Sequence, residues 1–218
     1  MRIAITGATG FLGRHVVEQL KADHELICIS RSGQASVEYT GKKIDIVQGR
    51  GLKSAFAKAD VVIHAAGLVS HEIARAKDTW SVHVQGTQNV LDAAHSSKVP
   101  RVIYLSTSGT VAVSEKPDAL GTENNEPPEH LIARWPYYRS KLYAEQLALN
   151  HEYGQVICLN PSLLMGPGDS LDGASTHAVR IFLDQGVPVA PSGGISFVDV
   201  RDVALAVQLA LTRGDVGQ

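Results

Sequence analysis

The sequence predicts an α/β fold, a doubly wound parallel sheet followed by a smaller C-terminal region. Three observations support this fold class. Short apolar, β-branched runs alternate with helix-like stretches along the chain, which is the order of a sheet wound with crossover helices. The strands are apolar on both faces, as strands are when helices cover a parallel sheet on each side. A glycine-rich turn joins the first strand to the first helix.

Six strands are expected where valine, isoleucine and leucine dominate a short run, as in RIAIT for the first and ELICIS for the second. They cover residues 2–6, 25–30, 43–47, 61–66, 102–106 and 155–160. Four helices are expected at 11–21, 82–95, 137–152 and 200–211. In the first helix, Leu12, Val16 and Leu20 share one face. Pro136 precedes the third helix, at a position where its missing N–H costs nothing.

The 218 residues carry a formal net charge of −2, and 44% of them are apolar. This composition argues against a disordered chain and against a nucleic-acid-binding domain, which usually has a basic surplus. No run approaches the length of a membrane span, and the N-terminus lacks the layout of a signal peptide. Cys28 and Cys158 lie in apolar runs without Cys-x-x-Cys spacing. We therefore expect two reduced thiols in a cytoplasmic protein and no metal site.

Three spaced glycines open the first helix directly after the first strand. Gly7 permits the tight turn, Gly10 lets the backbone approach a pyrophosphate, and Gly13 lets the helix pack closely on the sheet. The N-terminus of that helix presents unpaired N–H groups and a positive dipole end to phosphates. The turn therefore predicts a dinucleotide site that includes Gly7, Thr9, Gly10, Phe11 and Leu12.

The end of the second strand bears on which dinucleotide is bound. An acidic residue here would bond the ribose 2′-hydroxyl of NAD, whereas an arginine suits the 2′-phosphate of NADP. This chain has Arg31 and Ser32, and the next acidic residue is Glu38. Because a guanidinium pairs well with a phosphate, the pattern favours NADP. NAD is the alternative, with Arg31 then a solvated surface residue.

Tyr137 and Lys141 are four residues apart and share one face of a predicted helix. We expect the ammonium of Lys141 to lower the pKa of the phenol, and a tuned phenol passes a proton to or from a carbonyl or alcohol oxygen. Ser106, Thr107 and Ser108 end the fifth strand, where one hydroxyl can hold a substrate oxygen beside Tyr137. The other two hydroxyls fit strand-end capping.

Seven ordered segments resemble the extended short-chain dehydrogenase/reductase superfamily, in the branch of NAD-dependent epimerases and dehydratases and dihydroflavonol-type reductases. They are TGATGFLG (6–13), HAAG (64–67), VxGTxNVLDAA (84–94), STSGTV (106–111), YYRSK (137–141), NPSLLMGPGD (160–169) and FVDVRDVA (197–204). The resemblance covers nearly the whole chain and implies a Rossmann fold with a Ser/Thr–Tyr–Lys catalytic set.

The resemblance also implies roles for individual residues. Tyr137 would be the general acid/base, and Lys141 would bond the nicotinamide ribose. The hydroxyl role falls on Ser108 in the epimerase pattern and on Thr107 in the reductase pattern, and we favour Ser108. Further cofactor-binding residues would lie at three strand ends: Ser106, His64, Ala65, Ala66, Gly67, Pro161, Leu163 and Leu164.

The chain departs from the family pattern at three places. His83 stands where the family usually has asparagine, and a packed helix histidine fits it better than a catalytic base. Arg50 follows Gly49 where the family often has an aspartate that bonds adenine. Asn160 begins Asn-Pro-Ser-Leu, which is nearer to the reductases than the Arg-Pro-x-Asn of sugar-nucleotide enzymes.

The sequence divides into a dinucleotide-binding domain at 1–162, a substrate-region insertion at 163–195 and a return to the first domain at 196–218. Two long connections, 107–135 and 163–195, follow strands at the edge where such sheets bind ligands. Family members usually continue beyond this point, so we expect an incomplete substrate-binding region and assign no substrate.

Together these features favour an NADP-dependent oxidoreductase that reduces a carbonyl on a small organic substrate by hydride transfer, with Tyr137 as general acid. The alternative is an NAD-dependent nucleotide-sugar epimerase or dehydratase, and the second alternative is a non-catalytic NADP-binding sensor. The helices at 82–95 and 137–152 can form the face of a homodimer, although packing on the sheet explains their apolar residues equally well.

Overall fold

The centre of the protein is a six-stranded, all-parallel sheet. The computed structural model describes residues 1–70, 72–116, 119–153, 155–170, 173–186, 192–215 and 217. The strands are β1 (Arg2–Thr6), β2 (Glu25–Ser30), β3 (Thr40–Lys43), β4 (Val61–His64), β5 (Arg101–Leu105) and β6 (Val156–Leu159). Their order across the sheet is β3-β2-β1-β4-β5-β6. This is the order of a doubly wound Rossmann sheet and confirms the predicted fold class.

Helices connect the strands and cover both faces of the sheet. They are α1 (Phe11–Leu20), α2 (Leu52–Ala55), α3 (Ala76–Trp80), α4 (Gly86–Ser96), α5 (Glu129–Ile132), α6 (Pro136–Leu149), α7 (Ala174–Gln185) and α8 (Val200–Ala210). A π-helical turn at Ser81–Gln85 joins α3 to α4, so the helix predicted at 82–95 begins earlier than expected. Within the described residues, no helix combines the length and the apolar character needed to cross a membrane.

Alternate residues of the strands other than β3 enter two separate apolar layers. Ile3, Ile5 and Ile63 are fully buried on the face covered by α1 and α8. Ala4 and Val62 are fully buried on the face covered by α2, α4 and α6. Burial of both faces explains why the strands are continuously apolar, and it leaves the carboxyl edge of the sheet as the place where the connecting turns converge.

The third strand lies at Thr40–Lys43, and its prediction at 43–47 is wrong. The observed strand is a polar edge strand whose Lys43 pairs with Ser30 of β2. The apolar residues that suggested a strand here pack into the core instead. Ile46 is only 8% exposed and lies under α4, where a Cβ on Gly86 would come within 2.6 Å of its Cδ1.

The two long connections contain regular structure that the sequence did not reveal. The first includes a 3₁₀ turn at Ser108–Thr110 and α5. The second includes α7 and a strand, β7 (Leu163–Met165), which pairs in parallel with β8 (Phe197–Asp199) in a separate two-stranded sheet. Strands of three residues are too short to show an alternating pattern. The predicted division of the chain into three parts stays a prediction.

Candidate active site

The turn between β1 and α1 brings glycines into contacts that no side chain allows. Gly7 has a φ of +74°, and a Cβ there would lie 2.6 Å from the backbone nitrogen of Ala66. A Cβ on Gly13 would collide with the carbonyl oxygen of Gly7. Glycine is therefore required at Gly7 for the backbone conformation and at Gly13 for the close approach of helix and strand.

The N-terminus of α1 has the character of an anion site. Gly10 is the N-cap residue in an extended conformation, and no side chain caps the helix. Thr9 and Gly10 are exposed, while Phe11 and Leu12 are half-buried. The first N–H groups of a helix and its positive dipole end bind phosphates. The glycine turn and the uncapped helix together fit the pyrophosphate of a dinucleotide.

Arg31 and Ser32 are exposed on the turn that follows β2. Ser30 holds this turn, since its Oγ accepts a hydrogen bond from the Gly33 amide at 3.0 Å and lies 3.1 Å from Ser32 Oγ. Gly33 has a φ of +71°, and a Cβ there would lie 2.6 Å from the Cβ of Lys43. Lys43 therefore stands beside the turn that carries Arg31. Lys43 is not among the predicted site residues, because a third strand at 43–47 would not place it beside this turn.

His64 lies in the core at the end of β4, with both ring nitrogens bonded. Nδ1 is 2.7 Å from Thr6 Oγ1, and Nε2 is 3.0 Å from Thr87 Oγ1. Burial, reinforced by the nearby Lys141 ammonium, lowers the pKa of His64 to about 3, so the ring is neutral. Its side chain thus links β1, β4 and α4.

Two of the three residues that follow His64 lie at the glycine turn. The backbone of Ala65 and Ala66 lies against Gly7, and Gly67 is exposed. Of the segment 64–67, Ala65 and Ala66 lie beside the turn between β1 and α1, whereas a Cβ on Gly67 would lie 3.4 Å from Nε2 of His83.

Tyr137 and Lys141 lie one turn apart near the start of α6. Lys141 is buried, and its Nζ donates to the carbonyl oxygen of Leu105 at 2.6 Å and to the Tyr104 hydroxyl at 3.2 Å. Burial lowers the pKa of Lys141 to about 8 and raises that of Tyr137 to about 12. The expectation that Lys141 lowers the pKa of the phenol is wrong for this arrangement, because desolvation outweighs the charge and the ammonium is directed at β5.

Thr107 is the strand-end hydroxyl that meets Tyr137. Its side chain hydrogen-bonds the Tyr137 phenol, and this bond acts on the phenol pKa in the opposite direction to burial. Thr107 Oγ1 also accepts a hydrogen bond from the Gly109 amide at 3.3 Å, which fixes the side chain at the start of the 3₁₀ turn. The structure therefore brings Thr107, Tyr137 and Lys141 together.

The two neighbouring serines have other surroundings. Ser106 is 6% exposed, and its hydroxyl donates to the carboxylate of Glu145. Ser108 is half-buried, and its amide donates to the carbonyl oxygen of Pro161 at 2.9 Å. The geometry thus favours Thr107 over Ser108 as the partner of the phenol.

His83 lies in the π-helical turn and connects the loop after β4 to α6. Its Nε2 accepts a hydrogen bond from the Leu68 amide at 3.0 Å, so the proton is on Nδ1, which lies 2.8 Å from Ser140 Oγ. Ser140 in turn donates to the carbonyl oxygen of Tyr137 at 2.9 Å. Both ring nitrogens are thus engaged, and burial lowers the pKa of His83 to about 3, so the ring is neutral and packed in the way expected from the sequence.

The segment after β6 lies beside the end of β5. Pro161, Leu163 and Leu164 are all half-buried, and Leu163 and Leu164 belong to β7. The carbonyl oxygen of Pro161 accepts a hydrogen bond from the Ser108 amide at 2.9 Å, so Pro161 lies next to the 3₁₀ turn that begins after Thr107. Leu163 and Leu164 lie further along the chain and pair with β8.

The fold and the site define a dinucleotide-binding protein of the extended short-chain dehydrogenase/reductase type. The chain belongs to the NAD-dependent epimerase/dehydratase family, whose model matches residues 3–218.

Comparison with known proteins gives relatives with two kinds of activity. The chain is 33% identical to the 3β-hydroxysteroid dehydrogenase type 7 of Rattus norvegicus over 158 residues, which cover 66% of this chain and 47% of that protein. It is 28% identical to cinnamoyl-CoA reductase 1 of Oryza sativa subsp. japonica over 233 residues, covering 97% of this chain and 68% of that enzyme. Among solved structures, the UDP-glucose 4-epimerase of Thermus thermophilus in complex with NAD superposes with a TM-score of 0.79 at 26% identity, covering 99% of this chain and 76% of that one.

The chain spans only part of most of these relatives. The matched share of their own length is 47% for the rat steroid dehydrogenase, and 63% for a putative dihydroflavonol 4-reductase of Synechocystis sp. that is 28% identical to 96% of this chain.

Proposed function

We propose that the protein is an NADP-dependent oxidoreductase that reduces a carbonyl group on a small organic substrate. The observation that carries this proposal is the phenol of Tyr137, bonded by the Thr107 side chain and lying one helical turn from a buried Lys141. This set lies at the same edge of the sheet as the glycine turn that fits a dinucleotide.

When bound, the nicotinamide would supply the hydride for the carbonyl carbon. The phenol of Tyr137 donates its proton to the carbonyl oxygen as negative charge develops there. A pKa of about 12 keeps that proton on the phenol until the oxygen becomes basic enough to take it. Thr107 orients the phenol and marks where the substrate oxygen lies. Lys141, one helical turn from Tyr137, donates to the carbonyl oxygen of Leu105 and so holds α6 against the end of β5.

Three cationic side chains support the preference for NADP. Arg31, Lys42 and Lys43 are all exposed around the turn between β2 and β3. A 2′-phosphate would add an anion at this turn, and an arginine binds phosphate through two parallel hydrogen bonds. The ribose 2′-hydroxyl of NAD would give these cations nothing to neutralise.

The first test is titration of the purified protein with NADPH and with NADH, followed by quenching of tryptophan fluorescence. We expect NADPH to bind at least about tenfold more tightly, because a hydrogen bond to a charged group contributes about 1.5–3 kcal/mol. Arg31→Ala should abolish most of that preference while leaving NADH binding unchanged. Arg180→Ala, which removes another exposed arginine, is the matched control and should keep the preference.

A preference for NADH, or NAD carried through purification, would instead favour a nucleotide-sugar epimerase or dehydratase. The similarity to the NAD-containing UDP-glucose 4-epimerase of T. thermophilus is the observation behind that second candidate. In that case the phenol of Tyr137 would take a proton from a sugar hydroxyl and later return it.

The homodimer stays a prediction. Trp80 of α3 and Tyr143 of α6 are 39% and 50% exposed, and their rings lie 5.1 Å apart. This exposed aromatic pair provides apolar area for a second subunit. Tyr143 lies on the helix predicted at 137–152, and Trp80 lies just before the one predicted at 82–95.

A further inference from the structure

Glu145 is a buried acid that the proposed proton transfer does not use. It is 7% exposed and lies one turn beyond Lys141 on α6, on the side of the helix that faces the sheet. A carboxylate costs several kcal/mol to remove from water unless hydrogen bonds and an opposite charge compensate it. Its surroundings therefore need to be accounted for.

Three donors converge on the same oxygen of this carboxylate. Ser106 at the end of β5 donates its hydroxyl proton to Oε2. Thr110 Oγ1, in the 3₁₀ turn, lies 2.8 Å from Oε2, and Asn160 Nδ2, just after β6, lies 2.9 Å from it. The two strand ends and the turn that flank Thr107 are thus bonded to one side chain of α6.

Lys141 is the cation closest in sequence to this carboxylate. The titratable groups around Lys141 lie on α6 and on four other elements. Among these groups in the described part of the chain, Glu145 is the one carboxylate. They are His64 on β4, His83 on the π-helical turn, Tyr104 on β5, Cys158 on β6, and Tyr137 and Glu145 on α6 itself.

The uncharged groups around Lys141 do not compensate its charge. Burial holds both histidines neutral, with pKa values of about 3, and raises the pKa of the Cys158 thiol to about 12. The carbonyl of Leu105 and the hydroxyl of Tyr104 accept hydrogen bonds from Nζ but carry no charge. Glu145, one helical turn away and buried on the same side of α6, is the group among these whose charge opposes that of Lys141.

We propose that Glu145 is a positioning residue, whose carboxylate keeps Lys141 as an ammonium and ties the two strand ends beside Thr107 to the helix that carries Tyr137. This role of Glu145 rests on the proposed function only in so far as it affects proton transfer by Tyr137. The electrostatic link between Glu145 and Lys141 can be measured without substrate or cofactor.

The test follows the side-chain ¹⁵Nζ resonance of Lys141 by NMR as a function of pH, with assignment by its loss in Lys141→Arg. In the wild type the ammonium should titrate near pH 8. Glu145→Gln preserves the size of the side chain and removes its charge. We expect it to move the titration at least about one pH unit lower, since an opposite charge nearby favours the ammonium.

Thr110→Val is the matched control, because it removes one donor to the carboxylate and keeps the charge. It should lower stability but leave the titration of Lys141 within about 0.3 pH units of the wild type, a small fraction of the shift that charge removal produces. Should Glu145→Gln not fold, Glu145→Asp withdraws the carboxylate by one methylene and should give a smaller displacement in the same direction.

A second arm measures NADPH affinity from pH 6 to 10 in the same variants. The pH at which affinity declines should move with the Lys141 titration in Glu145→Gln. An unchanged Lys141 titration in Glu145→Gln would overturn the positioning role. A shifted titration without any NADPH binding would leave that role intact and contradict the proposed function instead.

Discussion

Among single residues, Tyr137 is held at both its side chain and its backbone. Thr107 bonds its hydroxyl, and Ser140, which lies 2.8 Å from Nδ1 of His83, bonds its backbone carbonyl. The Leu68 amide donates to the same His83 ring, so this histidine connects the loop after β4 with the segment that carries Tyr137.

The two candidate hydroxyls can be separated by substitution. We expect Thr107→Ala to lower carbonyl turnover with NADPH by about a hundredfold, because loss of one preorganised hydrogen-bonding group costs roughly that much. The turnover of Ser108→Ala should stay within about threefold of the wild type. Tyr137→Phe removes the general acid and should lower turnover by at least about a hundredfold, which gives the reference for both variants. Steady-state rates of NADPH oxidation with a panel of carbonyl compounds give the comparison. A larger loss in Ser108→Ala than in Thr107→Ala would return the role to Ser108.

At the scale of elements, the contact between β1 and α1 depends on the absence of a side chain at Gly13. Alanine normally stabilises a helix interior by about 1 kcal/mol relative to glycine. Here the added Cβ would meet the backbone oxygen of Gly7, which cannot move without displacing the turn.

Gly13→Ala should therefore destabilise the protein by roughly 1–3 kcal/mol, the usual cost of overpacking. Gly10→Ala is the control in the same turn. Its Cβ would lie 3.2 Å from the same oxygen, and the φ of −72° at Gly10 suits alanine. We expect a loss below about 1 kcal/mol there. Urea unfolding midpoints give both values, and equal stability of the two variants would contradict the close-packing role of Gly13.

The elements that the sequence predicted well are those whose signal is local. The central strands are apolar on both faces, and the glycine turn is recognisable from its spacing between a strand and a helix. β3 was misplaced because the position of an edge strand depends on its pairing with β2. The apolar Ile44 and Ile46 that follow it pack into the core on the helix-covered side of the sheet. α7 was missed because its apolar residues, among them Phe182 and Leu183 at 59% and 73% exposure, do not form a buried stripe.

The site shows the same limit. Tyr137 and Lys141 could be predicted because they are one turn apart, but the choice of Thr107 depends on the direction of a side chain at a strand end. Glu145 and Lys43 carry no motif of their own. Glu145 could be identified only from the structure, where residues of three separate segments hydrogen-bond its carboxylate. Lys43 could be identified only from the register of β3, which places it beside the turn that carries Arg31.

At the scale of the whole molecule, two neutral histidines link separate parts of the fold. His64 joins β1 and β4 to α4, and His83 joins the loop after β4 to α6. Both are 1% exposed, and burial lowers the pKa of each to about 3. In the unfolded chain a histidine has a pKa near 6.5. Their stabilising effect is therefore complete only above pH 6.5 and is lost progressively as the pH falls toward 3.

Between these two pKa values the unfolded state binds up to two more protons than the folded state. The free energy of unfolding then falls with a limiting slope of about 2.7 kcal/mol per pH unit, or roughly 3 kcal/mol in all between pH 6.5 and 5. That is a large share of the 5–15 kcal/mol typical of a domain, so we expect unfolding in mild acid. Urea titrations at a series of pH values measure the slope directly.

His83→Gln isolates one of the two contributions. The amide can accept from the Leu68 N–H and donate to Ser140, but it does not titrate, so the slope between pH 6.5 and 5 should fall to about half. His177→Gln replaces an exposed histidine and should leave the slope unchanged. If His83→Gln lost as much stability between pH 6.5 and 5 as the wild type, the acid sensitivity would have to come from groups other than the buried ring of His83.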